Sequence, residues 1–120
     1  DVAILAFCRM VARARAAADI LAEHGIDARV VDMRWVKPLD RRAIERAAET
    51  KLVVTVEEGI VSGGAGEGVL DVLAELGAST PSLVLGVADR FVSQGKVDLL
   101  LRELGLDAEG IASAIERKLA

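Results

Sequence analysis

Four short apolar runs, each followed by a helical pattern, constrain this chain more than any other feature. The runs are residues 2–7, 28–33, 51–56 and 83–87. They are apolar on both faces, as expected of strands in a parallel sheet covered by helices. After the first run, Val11, Ala14, Ala18 and Leu21 recur at helical spacing, and His24-Gly25 closes that helix. After the second, Lys37-Pro38-Leu39-Asp40 leads into a helix predicted to reach about Thr50. Asp40 suits its N-cap, and Leu39 and Ile44 have the spacing of a hydrophobic staple. Ile44, Ala47 and Ala48 are predicted to face inward. Val69, Val72, Leu73 and Leu76 mark a third helix, ended by Gly77. Val97, Leu100, Leu101 and Leu104 mark a fourth, closed by Gly105. Asp107 caps a last one, with Ile111, Ile115 and Leu119 on one face. With right-handed crossovers, this alternation predicts a three-layer α/β/α sandwich with strand order 2-1-3-4. No repeat, low-complexity tract or linker interrupts it.

At 120 residues, one domain is expected. Phe7, Trp35 and Phe91 are the only aromatics, so Ala, Val, Leu and Ile must build the core. A net charge of −4 gives no basic footprint for nucleic acid and disfavours anionic membrane surfaces. No apolar run approaches the roughly 18 residues of a membrane span. The one cysteine, Cys8, excludes an internal disulfide framework and suits a reducing, cytoplasmic compartment. The chain enters its first strand directly from Asp1, with no initiator Met or leader. It is therefore expected to be a piece of a longer polypeptide.

In open α/β sheets, ligands lie beyond the carboxyl ends of the strands. There the third run meets Glu57-Glu58 and then Gly63-Gly64-Ala65-Gly66-Glu67-Gly68. Strand, glycine turn and helix is the local form of many phosphate sites. No Walker lysine follows, however, and Glu57, Glu58 and Glu67 surround the turn with negative charge. Acidic groups near a helix start also stabilise it through the dipole. Two readings stay open, a tight structural turn and a small-anion loop, and the charges favour the turn. Adjacent residues on an extended segment point to opposite faces, so Glu57 and Glu58 are not a facing acid/base dyad. One of them is expected to cap backbone amides or to pair with an Arg.

Arg34-Trp35 and Lys37 follow the second run, and Asp89-Arg90-Phe91 follow the fourth. Both clusters set charge beside an aromatic on the same sheet edge. They read as surface charge or as interface anchors, and their recurrence favours a docking surface. Cys8 is expected to be a buried, inert thiol. His24 is expected to be exposed at a helix end, where the dipole favours its protonated form. With no second His, His-based metal sites are not expected. A phosphoacceptor receiver domain shares this fold, but it needs an Asp where the third strand here ends in Glu57-Glu58.

Val31-Asp32-Met33-Arg34-Trp35-Val36-Lys37-Pro38-Leu39-Asp40, and Val54-Thr55-Val56-Glu57-Glu58 with Gly63-Gly64-Ala65-Gly66, resemble the C-terminal domain of transketolase-type, thiamine-diphosphate enzymes. Asp89-Arg90-Phe91-Val92-Ser93-Gln94-Gly95 and the tail Glu103-Leu104-Gly105-Leu106-Asp107-Ala108-Glu109-Gly110-Ile111 narrow the resemblance. They resemble the 1-deoxy-D-xylulose-5-phosphate synthase family more than transketolases or pyruvate dehydrogenase β subunits. The resemblance covers essentially the whole chain. Ala88 departs from it, standing where Pro is expected before Asp-Arg-Phe, with an effect confined to the local turn.

The resemblance implies a transketolase C-terminal-type fold, with an antiparallel edge strand lying upstream. It implies a parent transferase that condenses pyruvate with glyceraldehyde 3-phosphate, with loss of CO2, for isoprenoid, thiamine and pyridoxal synthesis. It implies a homodimer whose thiamine diphosphate and magnesium sit in two upstream domains. No catalytic, cofactor-binding or metal-binding residue carries over to this chain. A non-catalytic role in domain packing and dimer assembly is therefore expected. A pyruvate dehydrogenase β-subunit or transketolase domain, or an independent small-anion module, remains the alternative.

Overall fold

The computed structural model describes residues 1–34, 38–60, 64–87, 101–102 and 104–120. Four strands form one sheet in the order β2-β1-β3-β4. They are β1 (Val2–Ala6), β2 (Ala28–Asp32), β3 (Leu52–Ile60) and β4 (Ser82–Val87), and every pairing is parallel. The predicted strand order therefore holds. All five residues of β1 are buried, because a central parallel strand has helices over both faces.

Strand alternation sorts the core into two clusters. Val2, Ile4 and Ala6 of β1 join Leu52, Val54 and Val56 of β3 beneath helices α1 (Met10–Glu23) and α4 (Ala108–Leu119). Ala3, Leu5 and Val53 join Phe7 and Met33 on the opposite face, beneath α2 (Arg41–Ala47) and α3 (Ala65–Glu75). Asp40 caps α2, its Oδ1 accepting from the Ala43 N–H at 3.1 Å. Leu39 packs in the same cluster as Ile44, as the staple spacing predicts. Asp107 caps α4 in the same way, accepting from Gly110 N–H at 2.8 Å.

The structure corrects several local expectations. β3 runs four residues past Val56, through the two glutamates, where the sequence pattern stops it. α2 ends at Ala47 rather than near Thr50, and Ala48 is only half-buried. α1 buries Met10 and Ala17 with Ala14 and Leu21, leaving Val11 and Ala18 half-buried. Leu76 and Leu119, at the ends of their helices, are 38% and 37% exposed rather than turned inward. Most of the predicted fourth helix lies outside the described residues, although Leu101 and Arg102 are helical.

Candidate functional site at the strand-to-helix turn

The carboxyl end of β3 and the start of α3 form the candidate site. From Val56 to Ile60, β3 takes four steps while β4 takes two, from Leu85 to Val87, so the register shifts here. Such irregularities bend a strand and re-aim its side chains. Glu57 turns toward α3 and is 4% exposed. Its Oε1 accepts from the Ala65 N–H at 3.0 Å, and its Oε2 from the Gly66 N–H at 2.6 Å. The N-cap residue of α3 is Gly64, which has no side chain to offer. The cap therefore comes from the neighbouring strand. A carboxylate on two orphan N–H groups gains from charge-assisted hydrogen bonds and from the helix dipole together.

Gly66 makes this joint possible. A Cβ there would lie 2.7 Å from both Thr55 Oγ1 and Val84 Cγ1, and 2.9 Å from Glu57 Oε2. Thr55 is buried, and among the described residues its hydroxyl has no hydrogen-bond partner. Glu58 points the other way. Its Oε2 accepts from Arg9 Nη2 at 3.0 Å, and its buried Oε1 has no partner among the described residues. One glutamate thus caps the helix and the other pairs with an arginine.

Arg34 is exposed and follows β2, so β1 separates it from this turn. Trp35, Lys37, Gly63, Asp89, Arg90 and Phe91 lie outside the described residues. Cys8 corrects an expectation, being exposed rather than buried. It takes a φ of 54°, in the left-handed region, as the chain swings from β1 into α1. Arg9 escaped the sequence reading. Its signal was topological, because parallel neighbours bring the ends of β1 and β3 together.

A diphosphate group and its metal ion would need free N–H donors and clustered ligands. The first N–H groups of α3 are already held by Glu57. Among the described residues, no group of three or more His, Cys, Asp or Glu is placed to hold a metal ion. These residues do not fit thiamine diphosphate with magnesium. Among the described residues, no helix is long and apolar enough to cross a membrane.

Residues 1–111 match the family model of the transketolase C-terminal domain. The chain belongs to that family. It is 52% identical over 120 residues to a 1-deoxy-D-xylulose-5-phosphate synthase of Ralstonia pickettii, covering 99% of this chain and 18% of that protein. It is 50% identical to the same-named protein of Chromobacterium violaceum, covering 100% of this chain and 19% of the relative. The chain thus spans about a fifth of the length of these relatives. Among solved structures it is similar to a split-gene transketolase described as an inactive β4 tetramer. That match has a TM-score of 0.89 and 41% identity, over 98% of this chain and 38% of the other. In this transketolase C-terminal domain, the Glu57 cap sits where a phosphate-binding relative of the general fold would receive its ligand.

Proposed function

We propose that this chain is the C-terminal domain of a 1-deoxy-D-xylulose-5-phosphate synthase and supports that enzyme's domain packing and dimer assembly, not its chemistry. The whole enzyme condenses pyruvate with glyceraldehyde 3-phosphate and releases CO2. Its thiamine diphosphate and magnesium are held by the domains that precede this one. Identity near 50% across the full chain with proteins of that name supports the parent assignment. One observation carries the non-catalytic role: both oxygens of Glu57 occupy the α3 N–H groups where an anionic ligand would bind.

Calorimetric titration of the chain with thiamine diphosphate and magnesium tests this reading. No heat of binding is expected. Tight, magnesium-dependent binding would overturn it. Co-expression with the remaining domains of a relative completes the test. The chain is expected to co-purify with them and to restore a dimer, whereas failure to associate would remove the assembly role.

A further inference from the structure

Helices α1 and α4 pack on each other over the same face of the sheet, and their carboxyl ends meet at one imidazole. His24 is the C-cap of α1, and its Nδ1 hydrogen-bonds Oε1 of Glu116 in the last turn of α4. Each helix end is the negative pole of its macrodipole. Glu23 from α1 and Glu116 from α4 add two carboxylates that act on the ring. The last turn of α1 contains no basic residue, so a proton on His24 supplies the positive charge at that end. α4 carries Arg117 and Lys118 in its own last turn. In the loop toward β2, Asp27 follows, its N–H held by Asp1 Oδ2 at 3.2 Å.

We propose that His24 is a proton-operated latch that holds the last turn of α4 against α1. The latch acts on that turn alone. Ile111, Ala112 and Ile115 anchor the earlier turns through burial, which does not titrate, while Leu119 at the end is half-exposed. The hydrogen bond to Glu116, and then its charge, hold the imidazole above its ordinary value of 6.5; Glu23 adds to this and desolvation opposes it. A raised folded-state value gives a contribution that is complete below the ordinary value and lost as pH climbs through the raised one. The latch is closed in mild acid and opens as His24 loses its proton.

Nuclear magnetic resonance on the 120-residue chain tests this through the His24 ring titration and the amide exchange of residues 116–119. The ring is expected to titrate above its ordinary value, and the upward shift to disappear in Glu116→Gln. Protection of the last turn, corrected for intrinsic exchange, should fall at least about twofold across the titration. That pH dependence should be absent in Glu116→Gln and in His24→Lys, with His24→Lys keeping the low-pH protection. An unshifted ring, or protection that ignores pH in the parent chain, overturns the latch. So does an unchanged pH dependence in Glu116→Gln.

Discussion

Glu57 Oε2 accepts the backbone N–H of Gly66 at 2.6 Å, joining the end of β3 to the first turn of α3. Removing this carboxylate should therefore act on the helix start first. Glu57→Ala leaves the buried Gly66 N–H and the part-buried Ala65 N–H without partners and should cost about 1–3 kcal/mol. Glu57→Gln should also destabilise, because an amide NH2 cannot accept from the second N–H. Urea midpoints give the loss, and faster amide exchange at Ala65 and Gly66 locates it. Unchanged exchange at those two amides would show that the cap contributes nothing.

Two glycines should fail for different reasons. Gly66→Ala drives a Cβ to 2.7 Å from Val84 Cγ1 and Thr55 Oγ1, and should cost about 1–3 kcal/mol by overpacking. Gly77 has open space around it but a φ of 68°, so Gly77→Ala should cost about 1 kcal/mol through backbone strain alone. A double-mutant cycle separates the two. Val84→Ala should offset part of the Gly66→Ala loss and add independently to Gly77→Ala.

The Arg9–Glu58 pair should be asymmetric. Glu58→Met removes a buried oxygen that has no partner among the described residues, and should leave stability within about 0.5 kcal/mol of the parent. Arg9→Met strands the same carboxylate and should cost about 1 kcal/mol. The double substitution should recover most of that. Equal losses from the two single changes would contradict this account.

Asp40 and Asp107 each satisfy one N–H at a helix start. Asp40→Ala and Asp107→Ala should each cost about 1 kcal/mol, and Asn at either position should be close to neutral. Thermal melts of the four variants check the ranking.

Much of this architecture was readable from pattern. Buried strands are apolar on both faces, so the four runs and the parallel order followed directly. Asp40, Leu39 and Ile44 declared their helix start by spacing. The extension of β3 was hidden, because two glutamates and a glycine look like loop residues until a neighbouring helix supplies N–H groups for one of them. The need for glycine at position 66 was also hidden, since it depends on Thr55 and Val84 meeting from two strands. Cys8 departs from the strand pattern because its backbone enters the left-handed region just where β1 ends, and the side chain is exposed. Leu76 and Leu119 follow helical spacing, but Leu76 is the C-cap of α3 and Leu119 the last residue of α4, where both are exposed.

The intramolecular cap at α3 has an evolutionary corollary. In this chain the residue that excludes an anion from the helix start also fastens a strand to a helix. Any lineage recruiting that position for a phosphate would have to give up Glu57, and would loosen the joint before the new ligand could restore it. Stability and a new binding function compete there for the same two N–H groups.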